Sequence, residues 1–198
     1  MGSTSELIIL TAIVLAGAAV AWACWRGRKA MTTRSGSRTI AFSRAANGHK
    51  EDPMMRNRRD WTLVAIAAAP DHCLTPVQLQ KSLFIFGDRL PQLVGEKYYR
   101  FRPYNYGPFS AEVYHDAEEL AADGLLSIES VPGQRWPQYC ATAAGIECAR
   151  IASAAMPAEV HQYLKELVGW AKSLRFRDLL EAVYSTYPEY AVNSVFRG

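Results

Sequence analysis

The residues best equipped for chemistry are few and badly spaced for it. His115 and Asp116 have the types of a general base and the carboxylate that orients it. Neighbours in a helix point about 100° apart, so the two cannot close on each other. His72 and Cys73 follow Pro70 in a loop and would offer a thiol with an adjacent base. That pair needs a third, orienting group, and none is suggested. His161 lies in a polar stretch and reads as solvated, and Glu112 with Asp116 and Glu118 with Glu119 read as a solvated helix face rather than acid/base pairs. No P-loop, GxSxG, HExxH or dinucleotide fingerprint is present. Cys24, Cys73, Cys140 and Cys148 form no CxxC pair and have no zinc spacing, so buried thiols in a reducing compartment are expected, without metal or disulfide. The chain is expected to be no enzyme and to hold no cofactor.

The same side chains make better sense as a binding surface. The helical stretch Ser110 to Asp123 contains Glu112, Asp116, Glu118, Glu119 and Asp123 and no Lys or Arg. Carboxylates repel a phosphate backbone, whereas a basic protein would be drawn to them. Tyr104, Tyr106 and Phe109 supply aromatics of the kind that anchor interfaces, although packing around their own turn would also explain them. The expected partner surface is therefore Tyr104, Tyr106, Phe109, Glu112, His115, Asp116, Glu118 and Glu119. Lys97, Arg100 and Arg102 form a small basic cluster, and Arg135 stands alone against Glu129. These four are the residues that would touch nucleic acid, which the acidic helix otherwise disfavours.

These residues need elements to position them. The 198-residue chain is 49% hydrophobic and 21% charged, enough for one domain with a sizeable core and an extension. Asp60 is expected to cap a helix stopped by Pro70. Thr75-Pro76-Val77-Gln78 is the strongest start signal, a capping box with Pro at the first helical position, and opens a mostly apolar, hence central, helix to about Leu90. Tyr98 to Arg102 reads as a short strand, followed by a tight aromatic turn, and Ser110 caps the next helix, ended by Gly124. Leu125 to Glu129 and Trp136 to Ala141 flank the turn Val131-Pro132-Gly133-Gln134. Thr142 caps a helix to about Ala155, Pro157 opens another, and a last one is broken by Pro188. The order is that of a winged helix with additional C-terminal helices, which would cover the core or form a homodimer interface. The class expected is mainly α with a small β-hairpin, over residues 56–198.

Ahead of it, Leu7 to Trp25 is a run of nineteen uncharged residues followed by Arg26, Arg28 and Lys29. A helix of that length spans roughly 28 Å, and the flanking charge places the rest of the chain in the cytoplasm. The reading is a signal anchor over 1–29, making a single-pass membrane protein. A cleaved signal peptide is opposed by Glu6 in place of a basic start. Translation from Met54 or Met55 would leave a cytoplasmic protein. Residues 30–55 read as a disordered basic linker. From Arg26 to Arg59 there are ten basic residues and two acids, whereas Asp60 to Gly198 holds twelve and sixteen, so the basic character precedes the acidic domain.

Leu79-Gln80-Lys81, Tyr106-Gly107-Pro108-Phe109-Ser110, and Leu120 with Gly124-Leu125-Leu126 resemble the SocA-like antitoxin (Panacea) domain. They are closer still to its uncharacterised bacterial YwgA-like relatives, whose C-terminal motif is similar to Tyr187-Pro188-Glu189-Tyr190-Ala191 with Ser194. The resemblance runs from about Trp61 to Phe196. It implies a non-enzymatic antitoxin-like or adaptor-like module acting on a protein partner, a toxin or a protease target. The alternative is a winged-helix transcription regulator that binds DNA.

Overall fold

The computed structural model describes residues 57–196. The anchor expected over 1–29 and the linker over 30–55 lie outside them. Among the described residues no helix is long and apolar enough to cross a membrane.

The chain is mainly helical. Helix α1 (Arg58–Ala67) leads through strand β1 (Cys73–Leu74) into α2 (Pro76–Arg89) and a single turn, α3 (Pro91–Val94). A first hairpin, β2 (Arg102–Tyr104) and β3 (Gly107–Phe109), precedes α4 (Ala111–Ala122). A second, β4 (Leu126–Glu129) and β5 (Gln138–Ala141), precedes α5 (Ala143–Ala152), α6 (Ala158–Ser173) and α7 (Phe176–Thr186). Two antiparallel sheets result, one ordered β1-β5-β4 and the other β2-β3.

Local chemistry accounts for most boundaries. The Thr75 hydroxyl accepts the Gln78 N–H while the Gln78 amide oxygen accepts the Thr75 N–H at 3.0 Å, satisfying two amides at the helix start. Helix α4 ends at Gly124, φ 73°, with the Leu125 N–H on the Leu120 carbonyl at 2.9 Å and the Gly124 N–H on Ala121 at 3.0 Å, a Schellman closure. The Thr142 hydroxyl accepts the Gly145 N–H at 3.1 Å and donates to the Gly124 carbonyl at 2.9 Å. It thus fixes α5 to the corner that ends α4. Two expectations shift. Helix α1 begins three residues early, with Asn57 as cap and its N–H on Asp60 at 3.1 Å. The strand expected over 98–102 forms only from Arg102, as β2, because Tyr98 and Tyr99 are buried against α1 and α2 instead.

Helix α2 is central, as its apolar circumference requires. Leu79, Leu83, Ile85 and Phe86 are fully buried, and each such side chain contributes roughly 1.5–3 kcal/mol. Phe86 meets Trp61 of α1 at 5.1 Å and Tyr163 of α6 at 6.2 Å. The apolar stripes of the C-terminal helices, Val160, Leu164, Leu167 and Val168 on α6 and Leu179, Leu180 and Val183 on α7, are spent in this same core. A homodimer would have to use other faces of these helices.

The expectation of four buried thiols is corrected. Cys73 and Cys140 are directly opposed across β1 and β5, with Cα atoms 4.1 Å apart, and form a disulfide. Cys148 is exposed, and Cys24 lies outside the described residues.

Candidate protein-interaction site

The β2–β3 hairpin is strapped down from beneath. Arg102 pairs with Phe109, Pro103 with Pro108 and Tyr104 with Gly107. Gly107 has φ 86°, a backbone that L side chains rarely adopt, and a Cβ there would also press on the Tyr184 ring. From α2, Gln80 donates its amide to the Ser110 carbonyl at 2.8 Å and accepts the Ser110 N–H at 3.0 Å. The Lys81 ammonium donates to the Pro108 carbonyl at 2.9 Å. Lys81 is only 2% exposed, and burial pushes it down to about 7, because a desolvated ammonium is disfavoured. From the other side the Val195 N–H reaches the Asn105 carbonyl at 3.0 Å, and the Tyr184 hydroxyl donates to Ser194 at 2.8 Å.

With the backbone held, the aromatic side chains divide. Tyr104 is 46% exposed and stacks on half-buried Phe109 at 4.9 Å. Phe109 meets Tyr114 of α4 at 5.5 Å, and Tyr114 meets Tyr139 of β5 at 6.4 Å. A run of rings therefore crosses from the first hairpin to the second sheet. Burial pushes Tyr114 up to about 12 and raises Tyr139, where the charge of Glu118 adds to the shift. Glu118 therefore borders this run. Tyr106 turns the other way, onto Phe176 at 5.3 Å.

The acidic face of α4 is not the open surface that composition suggests, and this is the main correction to the expected site. Asp116 is 3% exposed and cannot meet a partner. Its two oxygens take Arg58 Nε and Nη2, both at 2.9 Å, and the Tyr99 hydroxyl donates to it at 2.7 Å. Arg58 also holds Glu112 at 2.6 Å, and Arg59 holds Asp123 at 2.7 Å. The hydrogen bond to Asp116 pushes Arg58 above its ordinary value, and burial raises Tyr99. Two arginines of α1 thus neutralise three of the five carboxylates. Glu118 and Glu119 stay exposed, Glu119 lying 3.3 Å from exposed His115. An open cleft lined by Asn57, Arg58, Arg59, Asp116 and Glu119 marks where α1 meets α4.

The four basic residues do not form one surface. Arg102 opens β2, and Lys97 and Arg100 lie in the loop before it, all three exposed. Arg135 belongs to the other hairpin, where its guanidinium sits 4.9 Å over the Trp136 ring. Among the described residues no group of three His, Cys, Asp or Glu side chains is placed to hold a metal ion. His115 and Asp116 diverge, the first in solvent and the second on Arg58. Sequence reasoning missed Arg58 as the residue that closes the acidic face, and Gln80 and Lys81 as anchors. Two long polar side chains on an otherwise apolar helix were the available signal for the anchors. No protein-family model, curated protein or solved structure matches this chain.

Proposed function

We propose that the domain is a non-enzymatic protein-interaction module, antitoxin-like or adaptor-like, which grips its partner with the Tyr104–Phe109 platform and the Glu118–Glu119 edge of α4. The observation that supports this most is the exposed Tyr104 ring, stacked on Phe109 above a hairpin fixed by buried Gln80 and Lys81. A rigid aromatic needs little ordering when it binds, so more of its contact energy goes into affinity. Carboxylates along the rim of the rings fit a partner that presents an apolar side chain beside Lys or Arg. The SocA-like assignment is part of this proposal. In its favour, two separate segments that carry the resemblance meet in space: Gln80 and Lys81 bond Ser110 and Pro108. A tether through Leu7 to Trp25 would hold the module at a membrane, which recovery of the intact chain in a membrane pellet would test.

The test is a comparison of three baits: the unaltered chain, Tyr104→Ala, and Glu118→Lys with Glu119→Lys. A partner retained by the first from its native cells should fall at least about tenfold on either variant, the loss of one interface anchor. Equal retention by all three would place the interface elsewhere.

A second reading has a specific observation in its favour. We infer a winged-helix arrangement for residues 57–141 from the order α1-β1-α2-α4-β4-β5, interrupted only by α3 and the first hairpin, and the strand order β1-β5-β4. Helix α4 then takes the position that reads the major groove in DNA-binding members of that class. Arg100 and Arg102 form no ion pair with another described residue and would face phosphate. Under this reading the double Lys variant should strengthen retention of duplex DNA at physiological salt, whereas under the first it abolishes protein capture.

A further inference from the structure

The only covalent bond between separate parts of the described fold sits where a short seam joins two units. Strand β1 touches the second hairpin through two register pairs, Cys73 with Cys140 and Leu74 with Tyr139. One further hydrogen bond runs from the Ala141 N–H to the His72 carbonyl at 2.8 Å. This bond and the strand register put Cys73 and Cys140 at a non-hydrogen-bonded position, where opposed side chains lie closest. Their sulfurs are therefore neighbours in either redox state.

The two sides of the seam are held differently. On the β1 side, the Lys172 ammonium donates to the Cys73 carbonyl at 2.7 Å and pairs with Asp71 at 2.7 Å. The Cys73 N–H meets Asp71 at 3.2 Å, and the His72 ring bonds the Ala67 carbonyl at 2.7 Å. His72 itself has φ 57°, a left-handed backbone that costs a residue with a Cβ. On the other side, β5 belongs to a hairpin whose tip, Pro132 to Trp136, is exposed. Loss of the covalent bond leaves a two-residue seam flanked by the bond to the His72 carbonyl, which belongs to a strained residue. Cys73 is half-buried and Cys140 buried, so attack from solvent falls on the Cys73 sulfur.

We propose that Cys73 and Cys140 form a thiol–disulfide exchange site for low-molecular-weight thiols and disulfides, which sets how firmly the β4–β5 hairpin is fastened to the domain. An incoming thiolate attacks the Cys73 sulfur, forming a mixed disulfide and releasing the Cys140 thiolate, which takes a proton. A second thiolate attacks the incoming sulfur, leaving as a small disulfide and freeing Cys73, which is protonated in turn. The two electrons pass from two small thiols to the protein, and the reverse sequence closes the seam. The consequence for binding rests on the docking reading above: Tyr139, next to Cys140, ends the ring run that begins at Tyr104.

The test uses the full chain equilibrated in mixtures of reduced and oxidised glutathione, then alkylated and digested for mass spectrometry. Cys73 and Cys140 should acquire label together in one transition. Amide exchange at Ala141 should quicken at least about tenfold on the reduced side while Leu167 and Val168 of α6 stay protected, as for a local opening. A Cys73→Ser, Cys140→Ser variant should exchange fast at Ala141 in every mixture. Labelling independent of the buffer, or unchanged Ala141 exchange, would overturn the proposal. Should Tyr104→Ala leave partner capture intact while Ala141 still switches, the docking reading fails and the exchange site stands.

Discussion

The two hairpins that flank α4 are built on opposite principles. The first, β2–β3, is fastened by buried side chains that reach its backbone, Gln80 to Ser110 and Lys81 to Pro108, and it displays an aromatic ring. The second, β4–β5, seats Leu126 and Tyr139 in the core, is joined at its base to a short strand by one covalent bond, and leaves its tip open. Packing and hydrogen bonds give the first a shape that redox conditions change little. A disulfide gives the second a shape that depends on its redox surroundings. A domain that combines the two has one surface preorganised for recognition and one adjustable.

Four measurements would break or sharpen that contrast. The largest effect is expected from Cys73→Ser with Cys140→Ser, because the bond closes a long loop of the unfolded chain, 67 residues in separation. The loss should be about 4 kcal/mol by chain entropy in denaturant titrations under oxidising conditions, and it should vanish under thiol. Next is Gln80→Leu, which strands the buried N–H of Ser110 and leaves its carbonyl with the Val113 N–H alone at 3.3 Å, and should cost about 2–3 kcal/mol in any redox buffer. If that cost also disappeared under thiol, the two hairpins would not be independent.

The third measurement is of pH. Lys81 is near 7 in the fold and near 10.4 when unfolded. Between these values the unfolded chain binds more protons, so stability rises with pH across that window and is lowest below it, where the buried ammonium is charged. The unfolding free energy from urea titration should climb from pH 6 to pH 9, by an amount on the order of 1–3 kcal/mol. Lys81→Met should flatten the slope although it leaves the Pro108 carbonyl without its donor. The smallest effect on stability, below about 0.5 kcal/mol, is expected for Tyr104→Ala, since its ring is largely at the surface. A larger loss would mean that the ring is structural and not a platform.

Local signals in the sequence were legible because local chemistry decides them. The Thr75 box, the turn at Gly133 and the closure at Gly124 all stand where the residue types put them. The central place of α2 also followed from its composition. What escaped depends on distant partners. Nothing near Asp116 announces Arg58, which lies 58 positions earlier and converts an outward carboxylate into a buried one. Cys73 and Cys140 have no telling spacing, because they are opposed only by the pairing of two strands 67 positions apart. Tyr98 and Tyr99 imitated a strand because alternation cannot separate a half-buried strand from aromatic residues of a loop buried against helices. For the candidate site, the ring types were readable and their exposure was not.

The ion pairs of Arg58 also have a mechanical side. Arg58 is the first residue of α1 and clamps Glu112 and Asp116. The clamp joins the start of α1 to α4. Loss of that clamp would leave Glu112 without its guanidinium and Asp116 with the Tyr99 hydroxyl alone. The α4 face would then carry more uncompensated negative charge than it does with the clamp closed.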